Sequence, residues 1–239
     1  MLEQELEQVD AFIAMSEFSR QKHKEFGFPR DMEVLPPILS NPESGDAGLA
    51  GARPHQRPYF LFVGRLEKIK GLDDVIPLFR DYDVADLLIA GEGDYAGALR
   101  ALSRDIERVI FLGRMELEEL RRYYKHAVAL IGPSVCFETF GVTLIEAFKQ
   151  STPVIARRIG PFPEIVTRSG GGELFTTGEE LVGAMRRLQA DDVYRERLAR
   201  SGYEAYLEHW SERTVIPAYL DIVRRVAEKK SDRRVLDKI

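Results

Sequence analysis

Cysteine is nearly missing from this chain: Cys136 is the only one in 239 residues. That excludes an internal disulfide and a zinc site built on thiolates, and it fits a reducing compartment. The four histidines are scattered without metal-ligand spacing, so no metal site is expected. No apolar run is long enough to cross a bilayer, and the opening MLEQELEQVD is acidic where a secretory leader would be basic and then apolar. The expectation is a cytoplasmic protein with at most peripheral membrane contact. A net charge of −5 leaves no basic excess for phosphate backbones, so nucleic acid is not an expected partner. Cys136, set among apolar neighbours, reads as a small core residue.

From residue 59 onward, short apolar or β-branched runs alternate with amphipathic stretches. YFLFV, ADLLIA, VIFLG, AVALIG and PVIAR read as buried strands. LDDVIPLFRDY, YAGALRALSRDI, ELEELRRYYKH and VTLIEAFKQ read as helices, the first starting near Asp73 so that Pro77 falls in about its first turn. This alternation predicts an α/β fold, a Rossmann-like parallel sheet with helices on both faces. Ligands of such sheets bind beyond the carboxyl ends of the strands.

The first part of the chain differs. It supplies one strand at 11–15 and one helix begun by Ser16, followed by a Gly/Ala/Pro-rich linker at about 41–58. One strand and one helix bury no core of their own, so this piece belongs against something else. Two helices, about 191–208 and 212–230, close the chain around His209-Trp210-Ser211.

Three strand-to-helix loops carry candidate chemistry. In ETFGVTLIEA, Glu138 and Glu146 flank Phe140-Gly141. A helix through both would part them by roughly 12 Å of rise, too far to share a proton or one metal ion. Gly141 instead permits a tight turn, with Glu138 in the loop and Glu146 in the first turns of a helix from about 142. Two carboxylates so placed can accept from hydroxyls at two ends of an extended ligand, while the amides of Gly141, Val142 and Thr143 hold an anion between them. In FVGRLEKIKG, Gly64 permits close approach, and Arg65 and Lys70 can neutralise a diphosphate without a metal. AGEGDYAG places Gly91 in a third turn, but its spacing is one residue off a dinucleotide fingerprint and it follows the second strand. Asp81 and Asp83 lie at the wrong edge of the sheet for a metal site. The plainer alternatives are helix-end carboxylates favoured by the macrodipole, and a solvated charged turn.

Taken together, GRL…KG, LLIAGEGD, VIFLGRM, PS…ETFGVTLIEA and the later PVIARRIGPFPEIV and GGGELF make residues 59–228 similar to the nucleotide-sugar-binding, C-terminal half of GT-B glycosyltransferases, specifically the retaining family 4. The resemblance implies that Arg65 and Lys70 contact the donor diphosphate, that Glu138 contacts the transferred sugar near the reacting centre and that Glu146 contacts the ribose. It places the backbone from Phe140 to Thr143 at sugar and phosphate, Gly64 and Gly91 in the donor turns, and Arg114 and Met115 near the base. The implied partners are a nucleoside-diphosphate sugar and a sugar or lipid-linked acceptor, with no metal and no other cofactor.

The implied division is a remnant of an N-terminal acceptor domain at 1–40, the linker, a donor domain at 59–208, and a crossover helix and tail at 209–239. On that division the chain is expected to be a truncated enzyme, incomplete for catalysis alone, its other half on a separate polypeptide, removed or never present, and an apolar face near 11–15 and the last helices is expected to drive self-association. Where that family has Gly-Gly before Pro-Glu, this chain reads IGPFPEIV, so the loop near Gly160 and Glu164 is expected to grip the donor differently. A non-catalytic nucleotide-sugar-binding or regulatory module, and a nucleotide-sugar epimerase of the same architecture, are the alternative functions.

Overall fold

The computed structural model describes residues 5–39 and 53–238. The chain divides into two compact units, one of Pro42–Tyr206 and the other of Met1–Asn41 with Leu207–Ile239. Residues 41–52 of the expected linker lie outside the described residues.

In the smaller unit, β1 (Ile13–Ala14) leads into α1 (Glu17–Glu25). Ser16 caps that helix, its Oγ accepting from the amide of Ser19 at 3.0 Å. The chain then returns as β2 (Glu33–Val34), paired parallel with β1 in the register Ile13 to Glu33. The sequence reading missed β2, because two residues next to Pro36-Pro37 carry no periodic signal.

The larger unit is a six-stranded, all-parallel sheet. Its strands are β3 (Tyr59–Val63), β4 (Asp86–Ala90), β5 (Val109–Gly113), β6 (Ala129–Gly132), β7 (Val154–Arg157) and β8 (Gly172–Phe175), in the spatial order β5-β4-β3-β6-β7-β8. The α/β expectation is met, with helices flanking the sheet. The central strands are fully buried, as their unbroken apolar runs require when helices cover both faces: Phe60, Leu61, Leu87, Leu88, Ile89 and Ile155 are all solvent-inaccessible. Each such side chain contributes about 1.5–3 kcal/mol of burial. Phe60, Phe79 and Tyr82 pack edge-to-face in the core under β3.

One expected helix is broken. α2 spans only Leu72–Val75 and passes into a 3₁₀ segment, Ile76–Arg80. Pro77 is the cause, since it has no N–H to donate and its ring crowds the preceding turn. Next come α3 (Ala96–Leu102), α4 (Leu117–His126), α5 (Val142–Lys149), α6 (Phe162–Ser169) and α7 (Gly178–Ala190). α8 (Asp192–Ala205) completes the unit, a π-helical turn at Tyr206–Trp210 follows, and α9 (Glu212–Lys230) belongs to the smaller unit. The end of the expected linker is tied to the sheet: His55 Nε2 and Arg57 Nε meet the buried carboxylate of Asp86, the first residue of β4, at 2.6 and 3.0 Å.

Two glycines of the larger unit sit in opposite surroundings. Gly91, at φ +139°, would place a Cβ 1.9 Å from the carbonyl oxygen of Gly64. Gly97 on α3 has open space around it. Gly91→Ala is therefore expected to cost about 3 kcal/mol or more through strain and overpacking. Gly97→Ala should be neutral or gain about 0.5 kcal/mol. Urea denaturation of both variants checks the contrast.

Candidate functional site

The strand order creates a crevice. From β3 the chain moves outward to β4 and β5, then crosses back to β6 on the other side of β3. The loops after β3 and β6 therefore leave neighbouring strand ends and part, opening a gap at the carboxyl edge.

Three contacts stitch these loops together. The Val135 amide donates to the Ile69 carbonyl at 2.9 Å. Gly71, left-handed at φ +73°, sits so close to the other loop that a Cβ would stand 2.1 Å from the Pro133 oxygen. Lys70 Nζ donates to Glu138 Oε1 at 2.7 Å, a pair whose side chains are both largely shielded from solvent. Arg157, at the end of β7, adds a brace: its Nε donates to the Pro133 oxygen at 2.9 Å and its terminal nitrogen meets Asp74 at 2.6 Å.

On the other side of β3, the Leu66 amide donates to the Glu92 carbonyl at 2.8 Å and the Tyr95 amide to the Leu66 carbonyl at 3.0 Å. The AGEGD turn is thus shaped by backbone packing against the β3 loop. Beside it lies a cleft of about 320 Å³ in which Gly64, Arg65, Gly91, Arg114 and Met115 meet, together with Val63, Glu92 and Leu120. Five residues singled out in the sequence share one cavity wall, although they come from three different loops.

Arg65 is 75 % exposed and pairs with Glu67 Oε1 at 2.8 Å. The second oxygen of Glu67 is buried and has no hydrogen-bond partner among the described residues. Arg65 and Lys70 are thus each held by a nearby carboxylate.

Glu138 stands in the loop before α5. Its Oε1 accepts from Lys70 and also from Ser134 Oγ at 2.6 Å, and Ser134 is only 4 % exposed. Phe140 is buried, so only its backbone faces the loop. Gly141 turns the chain at φ +128°, where a Cβ would press on Ile165 and Phe162 at 3.0–3.1 Å, and α5 starts without a side-chain cap. Its first hydrogen bond runs from the Leu144 amide to the Gly141 carbonyl at 3.0 Å. The amides of Val142 and Thr143 stand before that bond, at the positive end of the helix.

Glu146 lies one turn further along α5 and has separate partners from Glu138. Its Oε2 accepts from the Tyr124 hydroxyl of α4 at 2.8 Å. Burial raises the Glu146 pKa, opposed by the Tyr124 hydrogen bond and by Lys149. Burial also pushes the Tyr124 phenol well above its ordinary range, with Glu146 adding to the effect, so the hydroxyl stays a neutral donor.

Cys136 is half-buried in the Glu138 loop rather than in the core, its thiol raised first by burial and then by Glu138. The sequence reading missed Ser134, Glu67, Tyr124 and Arg157. Ser134 sits four residues before Glu138 and was open to inspection; Tyr124, 22 residues from Glu146, left no local signal. Among the described residues, no cluster of three His, Cys, Asp or Glu side chains is arranged to hold a metal ion. No helix among them is long and apolar enough to cross a membrane.

This architecture is that of the GT-B Rossmann-like domain. Sucrose-phosphate synthase from Thermosynechococcus elongatus superposes with a TM-score of 0.79 at 22 % identity, over 92 % of this chain and 59 % of that one. Anabaena HepE, solved with UDP and glucose, superposes with a TM-score of 0.72 at 20 % identity, over 94 % and 63 %. Residues 50–205 match the glycosyl transferases group 1, and the chain belongs to that family. Phosphatidyl-myo-inositol mannosyltransferase of Mycobacterium leprae is 29 % identical over 213 residues, covering 86 % of this chain and 57 % of the relative. The chain spans about half the length of the curated relatives it matches.

The raised pKa of Glu146 fixes a sign. Between its ordinary value of 4.5 and its folded value the native state holds more protons than the unfolded one, so stability falls as pH rises through that window. Glu146→Gln, which keeps an acceptor for Tyr124, is expected to raise the melting temperature at pH 7. The gain should vanish below pH 4.5, as thermal unfolding across pH will show.

Proposed function

We propose that this chain binds the nucleoside-diphosphate sugar donor of a retaining, metal-independent glycosyl transfer of the family 4 type, from the donor to a sugar or lipid-linked acceptor hydroxyl. The observation that carries the reading is the Lys70–Glu138 pair, set across the switch-point crevice beside the open end of α5.

A diphosphate entering this crevice meets Arg65, Lys70 and the amides of Gly141, Val142 and Thr143. Lys70 exchanges its carboxylate partner for phosphate, and Glu138, still held by Ser134, turns its acceptor capacity to hydroxyls of the sugar. As the bond from sugar to diphosphate breaks, charge gathers on the leaving oxygens. Once Lys70 has made that exchange, the cations and the helix-end amides stabilise that charge. Glu146 accepts from the ribose, and Arg114 and Met115 flank the base in the cleft beside Gly64 and Gly91.

Support comes from the family membership, from the name of the mycobacterial mannosyltransferase, and from the UDP and glucose bound in the Anabaena structure. A transferase name favours transfer over the epimerase and regulatory alternatives. The expected cellular site is the cytoplasm, where nucleotide sugars would meet a chain whose one thiol is left free.

Isothermal titration with UDP, GDP, ADP, their common sugar conjugates and NAD tests the reading. One base class is expected to bind, and at a hundredfold excess over Kd it should stabilise the fold by about 2.7 kcal/mol. Lys70→Ala should weaken that binding by about tenfold or more, the loss of a charge-assisted contact. Binding of NAD alone, or of no nucleoside diphosphate, would overturn the proposal.

A further inference from the structure

We propose that Tyr124 is a positioning residue for donor recognition: its buried hydroxyl fixes the Glu146 carboxylate in the orientation that accepts from the ribose diol. The inference rests on the donor-site reading above, in which Glu146 is the ribose acceptor.

Tyr124 is 1 % exposed and stands in the last turn of α4 as a fixed post. Two hydroxyls from other elements grip the backbone of this turn. Tyr59 of β3 donates to the Tyr123 carbonyl at 2.8 Å, and buried Thr152, just before β7, donates to the Tyr124 carbonyl at 2.6 Å. From that post the phenol reaches Glu146 Oε2 on α5 at 2.8 Å.

The choice of partner matters chemically. A carboxylate in a shielded position needs donors or a counter-charge, and a directly paired cation would occupy the oxygens a ligand must use. One neutral hydroxyl holds a single oxygen and leaves most of the roughly four acceptor sites of the carboxylate for incoming hydroxyls. A purely structural buried tyrosine would be satisfied more cheaply by a carbonyl than by a carboxylate that burial disfavours. The groups acting on Glu146 are Tyr124 from α4 and Lys149 from its own helix. Removing the hydroxyl removes one of the two influences that keep Glu146 ionised.

The test measures affinity for UDP, GDP and ADP and for their 2′,3′-dideoxy analogues, between pH 5 and pH 8, on the native chain and on Tyr124→Phe. The native chain is expected to prefer one ribonucleotide over its dideoxy analogue. Tyr124→Phe should shrink that preference by about tenfold, the scale of one charged hydrogen bond, with the dideoxy affinity unchanged. Its ribonucleotide affinity should also fall away at a higher pH than in the native chain, because Glu146 then protonates more readily.

Should the phenylalanine variant fail to fold, 3-fluorotyrosine at position 124 keeps the ring and hydroxyl but makes the hydroxyl a stronger donor. The pH at which ribonucleotide affinity is lost should then move down. If the native chain shows the preference and neither the preference nor the pH profile responds to the change at 124, the positioning role is wrong and the donor site stands. If no nucleoside diphosphate binds the native chain, the donor site fails and the role of Tyr124 with it.

Discussion

The carbonyl of Gly64 lies where a side chain on residue 91 would have to stand, and the carbonyl of Pro133 lies where a side chain on residue 71 would. These two approaches bring the β3 loop into van der Waals contact with the loop after β4 on one side and the loop after β6 on the other. No residue but glycine allows them, since both positions also need a positive φ. Everything in the crevice follows from this compression. Arg65 and Lys70 flank the compressed loop, Glu138 is close enough to bridge it, and the cleft beside Gly91 is walled by residues from three loops.

Charge inside the crevice is handled in two ways. Arg65, Lys70 and Arg157 each meet a carboxylate, Glu67, Glu138 and Asp74 respectively. Glu146 instead leans on a phenol and on a lysine one turn away, and burial raises its folded pKa against the pull of both. A carboxylate kept under such conditions lowers stability at neutral pH. Binding sites often carry that trade between stability and activity, because a group that is fully satisfied internally has nothing left for a ligand.

The sheet was legible because parallel strands covered on both faces leave unbroken apolar runs such as YFLFV and DLLIA, and the helices between them keep a 3.6-residue period. The failures have local causes. Pro77 broke a helix that periodicity joined. β8 was not singled out because Gly170-Gly171 precedes it, Gly172 opens it and its apolar content is small. β2 is two residues long. Apart from Glu146, which lies on α5, most of the crevice residues named from sequence lie on strand-to-helix turns, and it was the combination of these loops in chain order that pointed to them. Tyr124 and Arg157 were hidden because their partners, Glu146 and Asp74, lie 22 and 83 residues away and meet only after the sheet has formed.

The pairing of Arg65 with Glu67 and of Lys70 with Glu138 also bears on selectivity. A crevice that supplies its own counter-ions is not a general sink for anions. An incoming anion must outcompete carboxylates already seated at hydrogen-bond distance, and a small one facing only one of the two cations gains a single exchange. A longer anion with two charged centres, spaced to meet both cations in turn, gains two exchanges for one loss of translational freedom. On the proposed donor reading, the built-in carboxylates would act as a threshold on valence and length, so that an ordinary inorganic ion would be turned away by the same groups that a diphosphate would displace.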